Sequence, residues 1–127
     1  YISSNTAGCI YCQAHTIRAA ERYGGKKERL MQAWDFENSS LFSSSEKIAL
    51  RFTVAASSVP VSVSRELEQS LQDSWDEADI LEIMSVIALF GFLNRWNDVM
   101  GTSLEEDAKH SAESLLSSQW EIGKHLT

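Results

Sequence analysis

Apolar residues recur at helical spacing along almost the whole chain. Ile48, Phe52, Ala55, Ala56 and Val59 fall at i, i+4, i+7, i+8 and i+11, one face of an amphipathic helix. Ser43 and Glu46 precede it in capping-box spacing, and the only proline, Pro60, stops it. Upstream, residues 9–22 read as a helix, opened by Gly8 and stopped by Gly24 and Gly25. Over 26–36, Leu30, Met31, Trp34 and Phe36 sit near helical spacing, and the serine-rich run 38–46 reads as a loop. Ser64 can cap a helix over 65–75 whose Leu67 and Leu71 face inward. Asp76 caps a long segment, 77–99, which Gly101 closes, and Leu104–Leu116 form the last amphipathic helix.

Segment 77–99 differs in kind. Ile80, Leu81, Ile83, Met84, Val86, Ile87, Leu89, Phe90, Phe92 and Leu93 leave it almost no polar face. A helix that is apolar nearly all round is central to a bundle or covered in an oligomer. Period-2 alternation occurs only in "VPVSVS", 59–64, too short and isolated to build a sheet, and no internal repeat is visible. The pattern predicts one all-α domain over 1–127, oligomeric. A chain of 127 residues can hold a real core, burying roughly two-thirds of its unfolded surface.

Composition narrows the function classes. Hydrophobic residues make up 43% and charged residues 23%, as in ordinary globular domains. The longest apolar run, "ILEIMSVIALFGFL" at 80–93, is too short for a membrane span and carries Glu82, so no membrane partner is expected. A net charge of −7, spread over several segments, opposes nucleic-acid binding. The opening "YISSNTAG" has no initiator Met, basic n-region or apolar h-region. It reads as a chain lacking its natural N-terminal segment. Two cysteines do not make a disulfide scaffold, which fits a cytoplasmic redox or metal role better.

Those cysteines lie together in "GCIYCQAHT", residues 8–16. On a helix, Cys9, Cys12 and His15 rise along one stripe. Cys9 sits where free backbone N–H groups favour a thiolate, and such settings lower a thiol pKa from about 8.5 to between ~3.5 and ~7.5. A helical i,i+3 pair is slightly too wide for a disulfide, but the non-helical geometry of a first turn closes the gap. His15, one turn beyond Cys12, can take its proton. The helix start therefore favours Cys9 as nucleophile, and adjacency to His15 favours Cys12. Buried cysteines can also simply pack. Structural zinc would need His110 or His125 as fourth ligand, at no recognised spacing. A redox dithiol without bound metal or cofactor is the expectation.

In "LNRWND", 93–98, Arg95 and Asp98 can pair at the surface, or Asn94 or Trp96 can approach the dithiol pocket. Trp34, Trp75, Trp96 and Trp120 read as core or subunit contacts. His110 reads as a surface residue and His125 as part of a frayed end.

With "LFGFLNRWNDVMGTSLE" (89–105) and "WEIGKH" (120–125), "GCIYCQAHT" resembles the carboxymuconolactone decarboxylase / AhpD-like alkylhydroperoxidase superfamily, in its peroxidase-related branch. The resemblance implies an AhpD-like helical bundle, assembled as a trimer, hexamer or dimer. It implies a thiol-dependent peroxidase in antioxidant defence, with Cys12 peroxidatic, Cys9 resolving and His15 in the proton relay. Tyr11, Thr16, Asn94 and Trp96 become candidates for the pocket. No cofactor is implied; the partners are a peroxide and an external dithiol reductant, such as a lipoyl or thioredoxin-like protein. Thr16 stands where better-known members place the relay His, and their relay Glu would precede Tyr1. A carboxymuconolactone decarboxylase-type lyase would not need the dithiol, so retention of both cysteines argues against it. A structural oligomer with packing cysteines is the non-catalytic alternative.

Overall fold

The computed structural model describes residues 1–116 and 120–126. Seven helices follow one another: α1 (Ile2–Ala7), α2 (Ile10–Arg22), α3 (Lys27–Met31), α4 (Ser44–Ser57), α5 (Arg65–Ser74), α6 (Glu77–Met100) and α7 (Glu106–Leu115). Among the described residues there is no strand. The chain is one all-α domain.

Most boundaries follow the local capping chemistry. The Ser43 hydroxyl accepts the Glu46 N–H and the Glu46 carboxylate accepts the Ser43 N–H, the full capping box ahead of α4. Ser64 and Asp76 accept the N–H groups of Leu67 and Asp79 to open α5 and α6, and Gly101 closes α6 in the left-handed region at φ 59°.

Three boundaries depart from the hydrophobic pattern. Gly8 ends a short α1 at φ 75° before Cys9 opens α2, so residues with no helical signature of their own form a turn of helix. The expected helix over 26–36 stops at Met31. Phe36 is needed in a small cluster with Ile2 and Phe42, which a continuing helix would not allow, and an Asp35–Asn38 turn redirects the chain. The last helix starts at Glu106 rather than Leu104: Glu105 is extended at its N-cap, and the Leu104 N–H bonds the His125 carbonyl of the tail (3.0 Å).

The core that positions the dithiol lies between α2, α7 and the C-terminal tail. Ala14 and Ile17 meet Leu104, Ala108, Ala112, Leu115 and Trp120 there. A second cluster, around Phe52, Leu71 and Ile87, joins α4, α5 and α6.

α6 is not enclosed as its composition suggests. α1, α2, α4 and α5 cover one side of it. Leu81, Val86, Leu89, Phe92, Trp96, Val99 and Met100 remain exposed. Of the two expectations for such a helix, this chain does not place it at the centre, and its outer side is an exposed apolar face. No described helix is long and apolar enough to cross a membrane.

Candidate functional site

Cys9 is the N-cap of α2, extended at φ −79°, ψ 99°. The positive φ of Gly8 turns the chain sharply enough for the Cys9 N–H to reach the Ser4 carbonyl (3.1 Å). The Cys9 Sγ then stands where a capping oxygen would, accepting the Cys12 N–H at 3.2 Å. Both residues are free thiols, 0% and 2% exposed.

The two thiols differ in acidity because they share a proton. The Cys12 S–H donates to the Cys9 sulfur, and this, with the Cys12 backbone N–H, brings the Cys9 thiol below its ordinary value although burial opposes it. Holding that proton, and then burial, push Cys12 far up. Cys9 is therefore the more acidic thiol of the pair and Cys12 the less acidic. Their environment adds smaller effects: the Asp98 charge opposes both thiolates and Lys124 favours that of Cys9.

A chain of hydrogen bonds leads away from Cys12. Asn97 Nδ2 donates to the Cys12 Sγ at 3.8 Å and to the Leu93 carbonyl at 3.0 Å. Thr102 Oγ1 donates to Asn97 Oδ1 (2.8 Å), and the Thr102 carbonyl lies 2.8 Å from His125 Nδ1. A carbonyl only accepts, so Nδ1 carries a proton. Among the described residues Nε2 has no hydrogen-bond partner, and it lies 3.8 Å from Asp98 Oδ1. Lys124 Nζ holds the other Asp98 oxygen at 3.1 Å. The tail is fixed on α2 by the Trp120 indole, whose N–H reaches the Ile10 carbonyl at 3.3 Å.

His15 is engaged elsewhere. Its Nε2 pairs with Glu105 Oε2 at 2.7 Å, and the Tyr11 ring lies 4.4 Å from its own, with the Tyr11 hydroxyl 3.5 Å from Glu105 Oε1. Among the described residues no hydrogen bond joins His15 to either sulfur. The carboxylate at the head of α7 offers a charge-assisted bond, while the Cys12 sulfur already faces Cys9 and Asn97.

The other sequence candidates separate. Thr16 bonds back to the Cys12 carbonyl (2.7 Å), a contact within the helix. Trp96 is 57% exposed and stacks on Phe92, away from the dithiol. Asn94 is buried but faces a neighbouring cleft, and Asn97, one turn on, takes the position at the sulfur. Asp98 bonds Lys124 rather than Arg95, because the tail, anchored by buried Trp120 and His125, brings the lysine to it. His110 is exposed, as expected, and His125 is fully buried rather than frayed. Asn97, Asp98, Thr102, Glu105 and His125 were missed. A polar cluster closing an apolar helix signalled the first two, but its phase could not choose Asn97 over Asn94. Among the described residues, no three or more His, Cys, Asp or Glu side chains are grouped to hold a metal ion.

No protein-family profile matches the chain. It is 32% identical over 93 residues to the uncharacterized protein YnjA of Escherichia coli (strain K12), covering 72% of this chain and 50% of that protein. The chain thus spans about half the length of this curated relative. Two crystal structures of the debrominase Bmp8 share its fold. The apo form superimposes with a TM-score of 0.84 at 33% identity, and a cysteine-to-alanine variant in complex with 2,3,4-tribromopyrrole with 0.85 at 32%. Each match covers 90% of this chain and 61% of the debrominase. The helical fold around the dithiol is one that also carries an enzyme.

Proposed function

We propose that this chain is the dithiol-bearing part of a thiol-dependent peroxidase of the carboxymuconolactone decarboxylase / AhpD-like superfamily. The observation that carries the reading is the buried Cys9 sulfur at the α2 N-cap, receiving the backbone N–H of Cys12, with the Cys12 thiol one turn along the same helix. The Cys9 thiolate attacks one peroxide oxygen; the O–O bond breaks, the leaving oxygen takes a proton as alcohol or water, and Cys9 becomes a sulfenic acid. The Cys12 sulfur attacks that sulfenic sulfur, a disulfide forms and water leaves. An external dithiol, lipoyl or thioredoxin-like, restores the pair by exchange. No bound cofactor takes part, and a reducing compartment such as the cytoplasm suits the cycle. This order makes Cys9 the nucleophile and Cys12 the resolving residue, the reverse of the roles that the superfamily resemblance implies. Nearly full burial of both sulfurs favours a substrate as small as a peroxide.

The likeness to a debrominase favours a second reading of the same dithiol. A brominated heteroaromatic gives up bromine to the thiolate, its carbon takes a proton, and the second thiol displaces bromide to leave the disulfide. Both readings spend two thiols on one two-electron reduction. Mass spectrometry of the reduced protein after mild hydrogen peroxide should show the loss of two hydrogens across Cys9 and Cys12. Parallel incubation with a bromopyrrole, scored for debrominated product, separates the two substrates. Sulfinic acid on one cysteine with no disulfide would sink both.

The reading also makes the protein a homo-oligomer joined through the exposed apolar face of α6. Sedimentation at micromolar concentration should give a trimer, hexamer or dimer, and Phe92→Glu should shift it toward monomer. A clean monomer in the unsubstituted protein would remove this part.

A further inference from the structure

A cleft of about 670 Å³ opens between α1, the end of α4, the 58–61 turn and α6, and neither cysteine lines it. Its floor carries Asn94, 3% exposed, and among the described residues neither Oδ1 nor Nδ2 of that side chain has a hydrogen-bond partner. The hydroxyls around it are committed. Ser57 donates to Ser3 (3.0 Å), Thr6 to the Ile2 carbonyl (2.8 Å) and Ser58 to the Val54 carbonyl (2.7 Å). Gly91, one turn before Asn94, leaves open space where a Cβ would stand, so the cleft continues along α6 above the amide.

A buried amide with both ends unpaired lowers stability, and native proteins rarely keep one without a use. What satisfies it must offer an acceptor to Nδ2 and a donor to Oδ1, side by side. Charge narrows the choice further. The cleft holds one cation and one anion, Arg95 and Asp98, so it sets no net sign and favours an uncharged group over a carboxylate or an amine. A lactam or other cis-amide has that pattern and can close a ring of two hydrogen bonds with a carboxamide, its apolar remainder lying against Ile87 and Val61.

We propose that this cleft is a binding site for a small neutral molecule bearing a lactam-type amide, read by Asn94 through paired hydrogen bonds. The proposal is independent of the dithiol chemistry. The test is a ¹⁵N–¹H NMR titration of the reduced protein with 2-pyrrolidinone and with N-methyl-2-pyrrolidinone, which lacks the donor. The lactam should shift amides of residues 87–99 saturably, and methylation should weaken binding about tenfold, the loss of one good hydrogen bond. Asn94→Leu should lose lactam binding and, rid of an unpaired amide, show a higher thermal midpoint than the unsubstituted protein; should it fail to fold, Asn94→Ala must still lose lactam binding. Equal binding of the two probes, or no binding of either, would overturn the proposal. So would a lower midpoint in Asn94→Leu accompanied by a change in oligomeric state, which would mean that a second copy covers the amide.

Discussion

Replacing Cys9 by serine is expected to remove nearly all thiolate reactivity near neutral pH, while replacing Cys12 by serine leaves it largely in place. The Cys9 thiol lies below its ordinary value because Cys12 donates to it, and Cys12 lies above because it holds the proton. In the reduced protein, alkylation by iodoacetamide should therefore rise at lower pH than an ordinary thiol near 8.5 would require. With Cys9→Ser the remaining thiol is buried and meets a neutral hydroxyl, so its rate at pH 7 should fall on the order of 10²-fold. Peroxide consumption should fall with it. Cys12→Ser keeps a hydroxyl donor over the Cys9 sulfur, whereas Cys12→Ala removes the donor and should move the Cys9 profile to higher pH. His15→Ala should leave the profile nearly unchanged, because His15 pairs with Glu105. A fast, low-pH thiol in Cys9→Ser, lost again in His15→Ala, would restore Cys12 as nucleophile and His15 as its base.

Ile17→Ala should cost about 2–5 kcal/mol of unfolding free energy, the largest stability loss expected near the site. Ile17 is 1% exposed and is the largest α2 side chain in the cluster it shares with Ala108, Ala112 and Leu115 of α7. The alanines already bring the two helices close, so the backbone has little room to collapse into the void. Urea denaturation should show the loss as a lower midpoint at nearly unchanged slope. Ile17→Val, removing one methylene, should cost about 0.5–1.5 kcal/mol, and the partly exposed Leu41→Ala less than either. An Ile17→Ala loss under ~1 kcal/mol would mean that this core does not hold α2 in place.

Helix existence was legible wherever a cap and an apolar period coincided, as at Ser43–Glu46 and Asp76–Gly101. It was not legible for α1, whose Ile2, Ser3 and Ser4 are buried by partners distant in sequence. The dithiol was legible for a local reason, since a Cys9 N-cap and its Cys12 partner lie within one turn. Its surroundings were not. Asn97 meets Cys12 because α6 packs on α2, Thr102 meets His125 because the tail folds back over the α6–α7 junction, and no spacing along the chain encodes either contact. His15 shows the converse. Helical register placed it correctly beside the motif, but a carboxylate from the far end of the chain claimed its ring.

The indole of Trp120 is bonded to the carbonyl of Ile10, the residue that directly follows Cys9 in the turn a disulfide would have to reshape. Trp34 and Trp96 face solvent, and Trp75 is tied to the Ser45 carbonyl in a different cluster. Disulfide formation between Cys9 and Cys12 should therefore change the emission of the buried Trp120 chromophore, an optical gauge of electron load readable in real time without a dye.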